Sequence, residues 1–193
     1  MPTVPADAKA TQIADALTAL ENVPANDREK VDRFQMELLA RLRTQVKVEV
    51  QGLHQRALIA RMYREGFSLV RQAGEIIALY PISNDSAVVA EAEDLSIRQK
   101  EVGRRVEMLR RQRYNRWAAE QLEKSLDALR SKDVATAQIL LGSIDASLLE
   151  IAVSSLYSYT VTEIADKLDK DKKAQLAKAL TDSSIVRRGM EDF

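Results

Sequence analysis

Cysteine is absent from the 193 residues, which excludes disulfides, thiolate metal sites and cysteine nucleophiles and leaves the redox compartment open. Proline occurs 4 times and glycine 6 times, too seldom for a chain of many short strands and turns. Aromatic residues make up only 5% of the chain, so a core must come mainly from Leu, Ile, Val and Ala. Such residues suit helix seams better than a rounded ligand pocket. A net charge is also lacking: 29 basic residues balance 29 acidic ones, and no overall field selects a polyanionic partner. No run approaches the ~18 apolar residues that a membrane span needs. The richest stretch, 148–161, is interrupted by Glu150, Ser154, Ser155 and Ser158. The first twenty residues lack the basic start and unbroken apolar core of a secretory signal. The expected compartment is cytoplasmic.

What is abundant is Ala, Leu, Glu, Arg and Lys in helical periods. Residues 1–25 read as a short amphipathic helix and linker, with Asp7 as cap and Ile13, Leu17 and Leu20 on one face. Pro24 stops it, and Asn26 or Asp27 can cap the next helix. From 28 to 80 no proline intervenes, and Val31, Phe34, Leu38, Leu42, Val46, Val50, Leu53, Ala57, Ala60, Tyr63, Phe67, Val70, Gly74 and Ile77 recur at threes and fours. The spacing predicts a helical seam of roughly 75 Å, weakest at Gly52, Gly66 and Gly74. The segment 81–85, Pro-Ile-Ser-Asn-Asp, ends that helix, with Asn84, Asp85 or Ser86 to cap a second one running to 131. Its seam is Val88, Ala92, Leu95, Gln99, Val102, Val106, Leu109, Trp117, Leu122, Leu126 and Leu129.

Two long helices joined by so short a turn must lie antiparallel. The expected fold is therefore all-α: a long, coiled-coil-like antiparallel hairpin over 26–131, with a short N-terminal helix and a C-terminal helical base. Folding at 83 sets residue i opposite about 166 − i, so Tyr63 faces Gly103, Leu53 nears Arg113, and Gly66 approaches Gly103 at a close crossing or a kink. The base, 132–180, reads as three helices: 134–141 capped by Asp133 and ended by Gly142, 146–168 capped by Asp145, and a polar helix over 170–180. Apolar residues almost encircle the second of these, which predicts deep burial. Residues 181–193 show no period and read as a flexible tail, with a docking peptide in 185–193 as a second reading.

Catalytic and metal-binding patterns are missing. His54 is the single histidine, so neither an i, i+4 histidine pair nor a Ser-His-Asp set stands out, and it reads as a structural or surface residue. The carboxylates Glu91, Glu93 and Asp94, and again Asp166, Asp169 and Asp171, match neither a di-metal nor a calcium pattern and read as solvated faces. No glycine-rich phosphate loop and no internal repeat occurs. No enzyme activity, cofactor or metal is expected.

One charge feature rises above background. Between 98 and 116 lie eight cations, seven of them arginine, against Glu101 and Glu107 alone. In the expected register Arg56, Arg61 and Arg64 join Arg104, Arg105, Arg110, Arg111, Arg113 and Arg116 in one band, with Tyr114 and Trp117 available for stacking. A solvated face, partly neutralised by Glu65, Glu101 and Glu107, is the plainer reading of the same residues. The composite expectation is a non-enzymatic structural or adaptor protein that associates with a protein partner or with copies of itself. The alternative is binding of RNA or DNA through the arginine band. Trp117, in register with the seam, reads as core packing at a helix crossing.

Overall fold

The structure is a computed structural model that describes residues 2–20, 28–168, 172, 173, 180 and 193. The linker over 22–27 and its caps, most of the polar helix over 170–180, and the tail apart from Phe193 lie outside the described residues. Among the described residues all regular structure is helical: α1 (Ala10–Leu20), α2 (Arg28–Ile59), α3 (Tyr63–Ile77), α4 (Ser86–Arg130), α5 (Val134–Gly142), a 3-10 turn (Ala146–Leu148) and α6 (Ile151–Asp166). The chain divides into two compact units, Met1–Arg61 with Glu65–Val106, and Met62–Arg64 with Glu107–Phe193.

In the first unit the hairpin turning at 81–85 is present, with α3 as one arm and α4 as the other. Leu79 and Tyr80 donate to the carbonyls of Ile76 and Ile77, tightening the end of α3 before Pro81. Asp85 caps α4, its carboxylate accepting the Ala87 N–H at 2.8 Å and its carbonyl the Val89 N–H at 3.0 Å. Tyr80 meets Glu91, Val70 meets Gln99 and Gly103, and Gly66 meets Val106. The arms are thus antiparallel, with residue i near 172 − i rather than 166 − i.

The expected continuous helix over 28–80 is instead divided at 60–62, where the chain reverses. No glycine stands at the break; α2 runs through Gly52, α3 through Gly66 and Gly74, and α4 through Gly103. Small residues make the reversal possible, because Gly66 lies so close to α2 that a β-carbon there would stand 3.1 Å from the Ala57 carbonyl oxygen and 3.6 Å from Ala60. The break also resets the helical phase. α3 buries Gly66, Leu69 and Ala73, one residue out of step with the expected Phe67, Val70 and Gly74, and Phe67 is exposed.

Doubling back makes α2 parallel to α4. Arg43 and Lys47 reach Glu91, and further along both helices His54 reaches Gln99. Leu53 accordingly lies beside Gln72 and Ile76 of α3, not near Arg113, and Gly66 and Gly103 pack on Val106 and Val70 instead of on each other. α2 buries Leu38, Leu42, Val46 and Val50 at strict four-residue spacing. Onto this face α1 sets Ala10, Ile13, Ala16 and Leu20, with Leu17 half-buried. Asp7 does not cap α1: the Ala10 N–H donates to Glu49 of α2 at 2.8 Å, a cap supplied from another helix.

The second unit is built on the later part of α4, where Tyr114, Ala118 and Leu122 are fully buried with Ala137, Leu141 and Ile164. α4 ends with Lys132 at φ 64°, the Asp133 N–H bonding the Ala128 carbonyl and the Lys132 N–H that of Leu129. This is a Schellman ending with lysine where glycine is usual. Asp133 then caps α5 as expected, and hydrogen bonds from Thr136 hold its carboxyl below the ordinary range. The expected helix over 146–168 is split: Asp145 caps only the 3-10 turn, and α6 begins at Ile151. Side chains of α4 cause the interruption. The Tyr114 hydroxyl bridges the N–H and C=O of Asp145, and Asn115 Oδ1 takes the Glu150 N–H at 2.8 Å. α6 is also less buried than expected; only Thr160 and Ile164 are fully covered, and Ile151 is exposed.

Two glycine substitutions test the reversal at 60–62. Gly52 has nothing within 4 Å of the place an added methyl would take, so it should accept alanine and gain about 0.5–1 kcal/mol. Gly66→Ala should destabilise despite the same propensity gain, because the Ala57 carbonyl blocks it. Urea midpoints of the two variants that rise together would show that α2 and α3 do not meet there.

Candidate interaction surfaces

In the first unit three helices converge on one half-buried amide. Gln99 of α4 donates through Nε2 to the Val70 carbonyl of α3 at 2.6 Å, and its Oε1 lies 2.5 Å from His54 Nε2 on α2. Because the amide nitrogen is committed to a carbonyl, Oε1 must accept, so His54 carries its proton on Nε2. His54 is buried, a structural residue as the sequence suggested, and Gly74 leaves the room that the Gln99 amide needs. Beside this layer a groove of about 390 Å³ runs between α2 and α4, with Val50, Leu58 and Leu95 among its apolar lining and Lys47, His54, Glu91, Asp94 and Arg98 among its polar lining.

Glu91 was expected on a solvated face, but it is half-buried and clasped. Arg43 Nη2 and Lys47 Nζ each stand 2.8 Å from its Oε2, and the Tyr80 hydroxyl donates to the same oxygen. Hydrogen bonds from Lys47, Tyr80 and Arg43 hold its carboxyl at about 2, well below the usual 4.5. Burial pushes the Tyr80 hydroxyl up, and its bond to Glu91 adds to the effect. The hydrogen bond to Glu91, then that to Tyr80, raises Arg43 above its ordinary value. Of its sequence neighbours, Glu93 is exposed and Asp94 pairs with Arg98 at 2.9 Å. Among the described residues no cluster of three His, Cys, Asp or Glu side chains could hold a metal.

The arginines of the expected band divide between the two units. The first holds Arg56, Arg61, Arg104 and Arg105, all exposed. The second holds Arg64, Arg110, Arg111, Arg113 and Arg116. Arg110 lies over the Tyr63 ring at 4.2 Å and bonds Glu107 at 3.3 Å, while Arg111 stands 3.8 Å from the same carboxylate. Arg113 donates to the Phe193 carbonyl at 3.3 Å, and Arg64 and Arg116 are exposed. Neutralisation by Glu107 follows the plainer reading of these charges.

Trp117 is half-buried, packed against the second core as its seam position suggested. It forms a trio with Tyr114 and Phe193, ring centroids 5.4–5.6 Å apart. Phe193 within this trio was not anticipated; it fell in a segment without period, and only contact reveals it. Tyr114, expected to be available for stacking in the arginine band, is instead fully buried, as the four-residue spacing 114, 118, 122 would have marked it, and Asn115 was not singled out.

On the outer side of α2, Val48, Gly52, Gln55 and Ile59 follow one another at steps of four, three and four. Val48 is 59% and Ile59 78% exposed. The steps are those of a pairing seam, and Gly52 has open space above it. Val89 and Ile97 on α4 are exposed too. No helix among the described residues is long and apolar enough to cross a membrane.

Two outcomes check the first unit's polar contacts. Gln99→Leu should cost about 1–2 kcal/mol, since it leaves the His54 Nε2–H without its acceptor and removes the second hydrogen bond at the Val70 carbonyl, and adding His54→Leu should restore part of the loss. Additive losses in denaturant unfolding would sink that linkage. For Glu91, a depressed carboxyl stabilises the fold above about 4.5, and this contribution fades as pH falls toward about 2. Glu91→Gln should therefore melt below the parent at neutral pH, with the gap closing through that acidic window; a constant gap would mean that the charge is not what matters.

Comparison with protein-family models, with curated proteins and with solved structures finds no match for this chain.

Proposed function

We propose that the protein is a non-enzymatic helical association module, joining copies of itself or a protein partner through exposed helix faces. The observation that carries this reading is the α2 row Val48, Gly52, Gln55 and Ile59, which keeps pairing-seam spacing while its two large apolar side chains stand in solvent. A helix face already used by its own fold would bury those side chains. Gly52 lets a second helix backbone come close, and Gln55 offers an amide to set register. The His54–Gln99–Val70 layer supports the same reading, because it ties α2 to α4 and α3 and so fixes the face that α2 presents.

The alternative is nucleic-acid binding by the arginines, favoured by the exposure of Arg104, Arg105, Arg111 and Arg116. It is weakened by the carboxylate and aromatic partners of Arg110 and Arg111 and by a chain with no net charge.

Light scattering after size-exclusion chromatography separates the two. An apolar seam should give a multimer that persists at high salt and that dissociates when Val48 and Ile59 are changed to Glu. Persistence of that multimer in the double variant would remove the α2 seam from consideration. A monomer that binds RNA or DNA only at low salt, and loses binding when Arg104, Arg105, Arg110 and Arg111 become Glu, would establish the alternative.

A further inference from the structure

His54 is satisfied on one side only. Its Nε2–H donates to Gln99 Oε1, and that bond fixes the neutral ring as the tautomer whose Nδ1 is a bare acceptor. Nδ1 lies across Cε1 from the bonded nitrogen and accepts no hydrogen bond from the described residues. The side chain is only 8% exposed. Buried polar atoms are nearly always paired, so an acceptor left open there calls for a partner from outside the fold. The space beside it is the groove between α2 and α4, which His54 helps to line.

That groove has the size and the lining of a small-molecule site. Its 390 Å³ falls in the range of roughly 300–1,000 Å³ usual for ligand pockets. From Lys47 to Leu58 its α2 wall is about 16 Å long at 1.5 Å per residue. Val50, Leu58 and Leu95 supply apolar surface. The charges in the lining are already matched, Lys47 to Glu91 at 2.8 Å and Arg98 to Asp94 at 2.9 Å. A charged ligand would have to displace one of these partners, whereas a neutral one need not.

We infer that the groove binds a small neutral molecule that has an apolar body and one N–H or O–H donor, the donor being received by His54 Nδ1. The apolar body displaces water from Val50, Leu58 and Leu95, and the donor makes the one hydrogen bond that His54 leaves open. A carboxylate or an ether oxygen cannot serve at that atom, because it would set acceptor against acceptor. The site does not rest on the association reading, although Gln55 borders both the groove and the α2 row.

His54 is the single histidine, so its ring nitrogens give the only histidine side-chain signals of a 15N-labelled chain. The probes are indole and 1-methylindole, which share a ring system but differ in the N–H donor. Indole should move the Nδ1 resonance saturably toward that of a protonated nitrogen, together with the amides of Gln51, His54 and Leu95. Loss of the donor should weaken binding roughly threefold to tenfold and leave Nδ1 in place. No movement of Nδ1 up to the solubility limit of indole overturns the inference, as does equal binding of the two probes or a response confined to amides outside α2 and α4. Repeating the titration with Val48→Glu and Ile59→Glu separates this site from the α2 row. The Nδ1 shift should persist there, and its disappearance would overturn the groove as a site of the single chain. Failure of the association reading is seen independently, as a wild-type chain that scatters as a monomer.

Discussion

The first unit depends on one amide. Gln99 lies where α2, α3 and α4 meet, and its two ends are committed to different helices. A side chain so placed cannot slide by one residue without giving up its bond to His54 or to Val70 in a half-buried site. Leucine at the same position would leave the three helices free to shift along their apolar stripes, since Val, Leu and Ala offer little register of their own. Gly74 makes the arrangement sterically possible, and the clasp of Arg43, Lys47 and Tyr80 on Glu91 repeats the device at the other end of the α2–α4 pair. The apolar faces supply the bulk of the driving force, and these few polar contacts select one arrangement among several similar ones.

The second unit solves a different problem with the same means. α5 and α6 are joined by a connection whose backbone groups would otherwise lack partners. Tyr114 and Asn115, adjacent on α4, supply them at Asp145 and Glu150. Several of the chain's few aromatic residues also sit against polar groups or against one another. Tyr63 lies under Arg110, Tyr80 on Glu91, Tyr114 on Asp145, and Trp117 beside Phe193. Each of these three tyrosines meets a charged or backbone polar group.

Helix content, the turn at 81–85, the cap at Asp133 and the α2 core positions Leu38 to Val50 were legible in the sequence, because each rests on local chemistry or strict periodicity. The reversal at 60–62 was not. The segment Ile59-Ala-Arg-Met-Tyr63 contains neither proline nor glycine, and its small residues act only through contact with Gly66, which a linear pattern does not show. Missing it shifted the phase of α3 and placed Arg56 and Leu53 opposite the wrong residues, while the α3–α4 register differs because the chain folds about 86 rather than 83. The split of 146–168 escaped for a similar reason, since the groups that end the 3-10 turn come from α4. Among the candidate site residues, the pairing of Arg110 and Arg111 with Glu107 was readable from spacing. The Phe193 contact was not, because no periodic feature marks its segment.

Charge and apolar surface together favour one kind of association. With equal numbers of cations and anions and several arginines paired to carboxylates, long-range attraction to a polyion is weak. On the proposed association, short-range contacts would then be left to discriminate between partners. In that association Val48 and Ile59 would contribute only when fully desolvated, which would need a partner helix of matching spacing and close approach at Gly52. Such a surface gains little from an approximate fit, because a helix displaced along α2 would press its side chains on Gln55 without burying Val48 or Ile59. Under the same proposal, the contacts that Gln99 makes to α2 and α3 would bear on recognition as well as on stability: a seam that moved would accept many partners weakly, and one held in place would select by register.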